Sequence, residues 1–475
     1  MAIIFPLQII KPMHKKIFMI HAGPNPAPGS SNAYIGSVVQ RLSERGHNVV
    51  ELHTAIRSNT FRGFYQHEEL KKHSVIQWIN SGVYAGHPPG SGSGTANPIR
   101  NVVPKDEMRI AFRELLTRHR PDLIHIQNLF GFPIGLVEEI KALKVPLVLT
   151  LQDYTPICPT SHLFLPEGSM CSLSRDHLQC HHCCVRTKIY SQFAVEEFCN
   201  SLLSRLNPCN SLWKLVAGIR NKMSRFLSLL RRSGKNISGY QYRYDAMLNL
   251  LKTADAVHCL SNLQAARFRD ATGPIGNLKV IPVSPPAVVN PAPVTPSESS
   301  HLLRFCVLNV QKGRNDKGYD FLLSALRSLE LRRKDFHVDW YADGVNTECI
   351  RFFGGYKLEQ LDAIAASTDF SITPSLWLET QAYTGVEMLA RGVPLICSTR
   401  AGVSEWVVNG TTGILFDPSN PGEIVNLLES LIQDSRKVKL LRDETMRRAT
   451  AIKTHQQHLQ EIEALYDQVI QRAKA

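Results

Sequence analysis

Nowhere in the 475 residues does an apolar run reach the roughly 20 residues that a bilayer-spanning helix needs, so a chain threaded through a membrane by helices is not expected. An export signal is not expected either: the opening MAIIFPLQIIKPMHKK sets its lysines after the apolar part and has no small-residue cleavage site, and Met13 is an alternative start. With no such signal, the 11 cysteines are expected as reduced thiols or metal ligands, not as a disulfide framework. No short internal repeat is present, which excludes a solenoid. Hydrophobic residues at 43% and charged residues at 20% exclude a disordered chain. The length exceeds one core and suits two domains of about 200–250 residues.

Acidic residues are missing from one long stretch. From Phe198 to Tyr244 there are nine Lys/Arg and no Asp/Glu, within a chain of net charge +13. In SLWKLVAGIRNKMSRFLSLLRR (211–232), Leu212, Leu215, Ile219, Met223, Phe226 and Leu230 recur at helical spacing with basic residues between them. A helix lying on an anionic membrane surface has this pattern, and so does a helix whose apolar stripe packs on its own domain. The run has few aromatics and no nucleic-acid fingerprint, so nucleic acid is not an expected partner. The expected location is cytoplasmic, peripheral on the inner membrane face.

Hydrophobic periodicity alternates strand and helix twice over. KKIFMI, NVVELH, DLIHI, PLVLTL and DAVHCL read as strands of a first unit; LLRFCVLNV, HVDWYA, DFSITPS, PLICS and GILF read as strands of a second. Strands separated by helical segments imply parallel sheets with right-handed crossovers, an α/β doubly wound class. The Pro/Ser-rich IPVSPPAVVNPAPVTPSESS (281–300) is a linker composition. The boundaries are therefore 1–280, with Cys-rich and basic insertions over 151–240, then linker 281–300, a second domain 301–455 and a final helix 456–475. The Gly/Ser tract 82–98 reads as an exposed loop.

Doubly wound domains bind ligands just beyond the carboxyl ends of their strands. After FCVLNV comes QKGRNDKGYD, where Lys312, Arg314 and Lys317 stand beside Gly313 and Gly318 before a helix, a favourable place for phosphate oxygens. Further on, SLWLETQAYTGVEMLARGVPL (375–395) sets Glu379 in a loop and Glu387 early on a helix. Glu387 there can accept hydrogen bonds from two adjacent ribose hydroxyls, while Glu379 shares its space with the Thr380 and Gln381 amides. An ordinary cap acid and a solvated loop acid fit the same spacing. In CPTSHLFLPEGSMCSLSRDHLQCHHCC, Cys158, Cys171, Cys180 and Cys183 follow separations of twelve, eight and two residues, which suits structural zinc, an iron–sulfur cluster or free thiols.

The order PSLWLE, seven residues, EMLARGVPLICST, then AGVSEWVVNGTTGILFDP resembles the retaining nucleotide-sugar glycosyltransferases of family 4, which have the GT-B fold and an E-x7-E motif. LNVQKGRNDKGYDFLL, VDWYADG, the glycine-loop segment KKIFMIHAGPNPAPGSSNAYIGSVVQRLSERGHN and RPDLIHIQN extend the likeness to both halves. The resemblance implies transfer of a sugar from a nucleotide-diphosphate donor to a hydroxyl of a glycan or lipid-linked acceptor, with retention and with no cofactor required for the chemistry. It assigns Glu387 to the donor ribose and Glu379, Thr380 and Gln381 to the sugar. Lys312 or Arg314, with Lys317, fall on the diphosphate, and Gly29 and Ser30 on the donor. Glu379 and His125 take the catalytic places, and Gln127 and Asp153 the acceptor side, although a histidine at a strand end such as His125 also fits a satisfied structural role. The cysteine cluster has counterparts in the family as well. Ala342 replaces a glycine, and Gln127 and Gln152 stand where histidines are usual. Glutamine cannot act as an acid or base near pH 7, which keeps a non-catalytic GT-B binding or assembly protein as the alternative. A GT-B epimerase is disfavoured by the motif order.

Overall fold

The computed structural model describes residues 14–21, 30–56, 64–69, 73–79, 102–129, 131–173, 177–186, 237–296 and 302–475. The tract 82–98, the basic segment 211–232 and Gly29 lie outside the described residues. Fourteen strands form two sheets among those described. The first holds β1 (Lys16–His21), β2 (Asn48–Ile56), β3 (Phe64–Glu69), β4 (Ser74–Ile79), β5 (Leu123–Ile126), β6 (Leu147–Leu151), β7 (Ala256–Cys259) and β8 (Leu278–Val280). The second holds β9 (Leu303–Leu308), β10 (Phe336–Tyr341), β11 (Ile350–Phe352), β12 (Phe370–Thr373), β13 (Leu395–Ser398) and β14 (Gly413–Phe416).

The first sheet runs β3-β4-β2-β1-β5-β6-β7-β8 and the second β11-β10-β9-β12-β13-β14. Every pairing is parallel except the edge hairpin β3–β4. These are two doubly wound Rossmann-like domains, as the alternation of strand and helix requires. Central strands are apolar throughout because both of their faces are covered. In β1 the side chains of Phe18 and Ile20 enter one core, while Ile17 and Met19 enter the core on the opposite face. Sequence periodicity did not show β3, β4, β8 or β11: FYQHEE is too polar to register, its hairpin partner SVIQWI went unread with it, and β8 and β11 have three residues each.

The final helix, His455–Lys474, belongs structurally to the first domain. Leu459, Ile462, Leu465, Tyr466, Val469 and Ile470 form one stripe that packs with Ile17, Met19, Val49, Leu123 and Val148. Its start is fixed by a capping box between Thr454 and Gln457. Polar contacts set its register: Tyr34 Oη lies 2.9 Å from His458 Nε2, Lys15 pairs with Asp467 at 2.9 Å, and Arg45 pairs with Glu463 at 2.7 Å. The two chain crossings between domains meet, since His455 N donates to the Val288 carbonyl at 2.8 Å and His455 Nδ1 lies 2.8 Å from the Ser284 carbonyl. Among the described residues no helix is long and apolar enough to cross a membrane.

Removing one buried aliphatic side chain from this stripe should destabilise the first domain as a core mutation does. Ile462→Ala should cost about 2–5 kcal/mol in urea unfolding, against less than about 0.5 kcal/mol for Leu440→Ala, whose side chain is exposed. Equal, small effects of both variants would mean that the helix is not docked.

Candidate functional site

In an open parallel sheet the crevice lies where the strand order reverses. In the second sheet that point falls between β9 and β12, and the loops following those strands, 309–318 and 374–382, supply the predicted residues. The two loops touch. Gly318 has φ +84°, and a Cβ there would stand 2.1 Å from the Pro374 carbonyl oxygen, so any other residue would push the loops apart. The amides of Leu376 and Trp377 both donate to the Asp316 carbonyl, at 2.9 and 3.1 Å.

Side chains converge on this loop pair. Lys317 Nζ forms an ion pair with Glu379 Oε1, and Ser375 Oγ donates to Glu379 Oε2. Arg314 grips Asp316 with two bonds, 2.9 and 2.6 Å. Burial would raise the Asp316 carboxyl, but the Arg314 guanidinium overrides it and holds the group below its ordinary range. Lys312 remains exposed at the tip. The cations of the predicted phosphate loop are thus distributed, two against acids and one toward solvent.

Glu387 follows on the helix Tyr383–Leu389, entered through Ala382 in a left-handed conformation (φ +68°). It is the fifth of seven helical residues, so the expected position near the helix start is corrected: burial, not a helix end, sets its electrostatics. Its side chain is buried, and desolvation pushes its carboxyl up to about 7 against the attraction of Arg391. Arg391 is largely committed elsewhere, donating to the Glu387 main-chain carbonyl at 3.0 Å and to Asp362 at 2.7 Å.

The first domain closes over this point. Ser261 Oγ donates to the Thr380 carbonyl at 2.8 Å, Thr380 Oγ1 to the Gln152 carbonyl at 3.2 Å, and Gln381 Nε2 to the Val283 carbonyl at 3.0 Å. Thr380 and Gln381 are therefore seam residues, with side chains bound to the opposite domain. His162 crosses as well: its ring lies 4.7 Å from that of Trp377, and its Nε2 is 3.9 Å from Asp316 Oδ2. Glu405 accepts from the amide and side chain of Asn262, both at 2.9 Å, and from the Leu263 amide at 2.5 Å, which caps a first-domain helix from the second domain. Sequence reasoning missed His162, Ser261 and Glu405, because only the packing of two domains gives them partners.

Asp153 sits on the same wall, accepting from the Thr155 amide at 2.7 Å, and burial raises its carboxyl. Gln127 is buried and accepts from Gln152 Nε2 at 3.2 Å. His125 is placed differently. It is 0% exposed, with Nδ1 2.6 Å from Tyr466 Oη and Nε2 2.7 Å from Thr150 Oγ1, and burial lowers it to about 3. It is a neutral group within the core, away from Lys317 and Glu379. Ser30 opens its helix, and its side chain, like Gly29, lies outside the described residues.

The four cysteines are neighbours. Cys158, Cys171 and Cys180 line one cavity with His177 and Arg243, and burial followed by the nearby Cys158, Cys180 and Cys171 pushes the Cys183 thiol up to about 12. No three of their sulfurs lie within 4.8 Å of one another. As placed they form a thiol-lined cavity, and a metal would have to draw the sulfurs together.

Residues 304–434 match the family model described as glycosyl transferases group 1. Over 131 residues the chain is 30% identical to an MMP alpha-(1->4)-mannosyltransferase of Mycolicibacterium hassiacum, covering 27% of this chain and 31% of that one. The matched stretch spans between 31% and 38% of the length of the curated relatives, about a third. Structural likeness extends over nearly the whole chain. A sucrose-phosphate synthase from Thermosynechococcus elongatus superposes with a TM-score of 0.60 at 14% identity, over 97% of this chain and 100% of that one. Anabaena HepE, in complex with UDP and glucose, superposes with a TM-score of 0.55 at 14% identity, over 96% and 100%. The fold is GT-B.

The raised Glu387 carboxyl makes stability depend on pH. The folded chain holds this proton more tightly than the unfolded chain, so its contribution to stability is full below about pH 4.5 and is lost as pH rises through about 7. Between pH 5 and pH 8 the wild type should lose on the order of 3 kcal/mol from this group. Glu387→Gln should show a flatter pH profile of urea midpoints; identical profiles would remove the buried, protonated state.

Proposed function

We propose that the chain is a retaining glycosyltransferase that moves a sugar from a nucleotide-diphosphate donor to a hydroxyl of a glycan or lipid-linked acceptor, in cell-surface polysaccharide synthesis. One observation carries the reading: at the switch point of the second sheet, Lys317 pairs with Glu379 and Arg314 with Asp316, with Glu387 on the helix that follows, beside a wall of the first domain that holds Gln152, Asp153 and His162. The E-x7-E order and the group 1 match over 304–434 support it, as does the fold shared with HepE, whose structure holds UDP and glucose.

In this reading charge is the main catalytic currency. Breaking the bond to the anomeric carbon leaves the diphosphate more negative, and Lys317, Arg314 and the exposed Lys312 are the cations within reach of it. Lys317 is paired with Glu379, which keeps Ser375 as a second partner when the lysine turns toward phosphate. Glu379 then remains oriented for sugar hydroxyls. Ribose hydroxyls donating to Glu387 favour its ionised form and offset the desolvation that raises it. The acceptor approaches from the wall formed by Gln127, Gln152 and Asp153, and the basic segment 211–232 would bring the enzyme to an anionic membrane surface on the cytoplasmic side.

The amide pair Gln127–Gln152, at 3.2 Å, favours the second reading, a donor- or glycan-binding GT-B protein without turnover, because neither group titrates near pH 7. Donor hydrolysis separates the two. Purified protein offered UDP-, GDP-, ADP- and dTDP-sugars, with and without a polyprenol-linked acceptor, should release nucleotide from at least one; no release from any, alongside measurable binding, would leave the binding protein. Nucleotide affinity should be weaker at pH 6 than at pH 8, and Glu387→Ala should weaken it at least tenfold by calorimetry while far-UV circular dichroism stays unchanged. Unaltered affinity would end the ribose assignment.

A further inference from the structure

The first domain holds a second cluster of chemistry-bearing side chains that the proposed transfer does not use. His21 ends β1, and Glu51 and His53 stand two apart on β2, so strand alternation puts both on one face. The parallel register pairs Met19 with Glu51 and His21 with His53, which brings all three groups to the same side of the sheet. Glu51 Oε2 lies 2.8 Å from His21 Nε2 and 3.2 Å from His53 Nε2. Its other oxygen, Oε1, lies 2.7 Å from Nε2 of His73, immediately before β4. The side chains of His21, Glu51 and His53 are 7%, 10% and 7% exposed.

Three imidazoles on one buried carboxylate are more than neutrality requires, since a single imidazolium would balance Glu51. They also supply the kinds of donor that a transition metal takes. Two imidazole nitrogens and a carboxylate oxygen, all within 4.8 Å of one another, can share one cation with bonds of about 2.0–2.2 Å. Among the described residues this is the group of three or more potential ligands that meets that distance condition. His53 Nδ1 is buried with no hydrogen-bond partner, so the protein engages that ring at its Nε2 edge, toward Glu51. The position of His73, on the carboxylate oxygen away from the other two rings, is that of a group orienting a ligand from outside.

We propose that His21, Glu51 and His53 form a binding site for a divalent transition-metal cation, zinc by the chemistry of its donors, with His73 holding the Glu51 carboxylate in orientation. The cation takes the nitrogen lone pairs, and the protons now shared with Glu51 are released to solvent. Bound there it ties β1 to β2 near their carboxyl ends and, through His73, to the start of β4. The site uses none of the residues that the transfer reading assigns.

Cobalt(II) added to the full-length, chelator-treated chain tests this. One equivalent should bind with weak visible bands and no thiolate-to-cobalt charge transfer, and zinc should displace it and raise the melting temperature. His53→Ala should weaken binding at least tenfold, and the double variant Cys180→Ser/Cys183→Ser should leave it unchanged. Should His53→Ala fail to fold, His73→Gln decides, with affinity expected to fall about tenfold; unchanged affinity overturns the site. No bound cobalt, or a thiolate spectrum abolished by the cysteine variant and indifferent to His53→Ala, also overturns it.

Discussion

A parallel sheet must be covered on both faces, and in this chain one face of the first sheet is covered in part by the last helix. Ile17, Met19, Val49, Leu123 and Val148 project toward that side, and the stripe from Leu459 to Ile470 packs against them. The consequence is topological. The chain must cross between domains twice, once through 281–296 and again before His455, and the crossings are joined where His455 bonds to Val288 and Ser284. Two crossings bonded to each other hold the domains more firmly than a single linker would. The second domain's switch-point loops therefore meet a fixed wall of the first.

The seam on that side joins apolar packing, with Trp377 buried in the first domain's core beside Tyr154 and His162, to hydrogen bonds that end on backbone carbonyls, at Thr380, Gln152 and Val283, and to the carboxylate of Glu405 on a helix start. Each such bond contributes only about 0.5–1.5 kcal/mol net, because water replaces it when the seam opens. The apolar contacts of the final helix are of another order, with six buried side chains in one stripe. The two domains are thus held both at their paired crossings and, at the seam, by the buried Trp377.

Much of this was legible in the sequence because parallel strands are written as apolar runs. KIFMIH, LIHI, LVLTL, FSIT and LICS are buried at nearly every position, so their number and alternation with helices identified the fold class. The site loops were legible for a related reason, as glycine and charge must follow immediately after such strands for a ligand to reach the sheet. What could not be read was partnership. Lys317 and Glu379 are 62 positions apart, and Ser261 and Thr380 are 119 apart. His125 took its catalytic place from the resemblance alone, while its strand-end position also fitted a satisfied structural histidine; its partners Thr150 and Tyr466 come from a neighbouring strand and from the last helix, and they enclose it in the core. The edge hairpin β3–β4 escaped because its first strand is polar.

The two glutamates of the E-x7-E stretch differ in how the fold treats their charge, and the difference bears on mechanism. Glu379 is met by Lys317 and Ser375, so its negative charge is compensated before any ligand arrives. Glu387 is buried with its nearest cation drawn to a carbonyl and to Asp362, so its charge is costly and it holds its proton to about pH 7. A compensated carboxylate is preorganised to orient a hydroxyl; an uncompensated one gains most from a ligand that donates to it. On the proposed donor reading, vicinal hydroxyls would be such a ligand, their two hydrogen bonds converting the cost of burying Glu387 into selectivity for whatever carries them. A ligand lacking one hydroxyl would leave a buried oxygen unpaired, which is the larger penalty. On the proposed reading, the same stretch would hold one residue that steers and one that discriminates, roles suggested by their separate environments and not by their spacing.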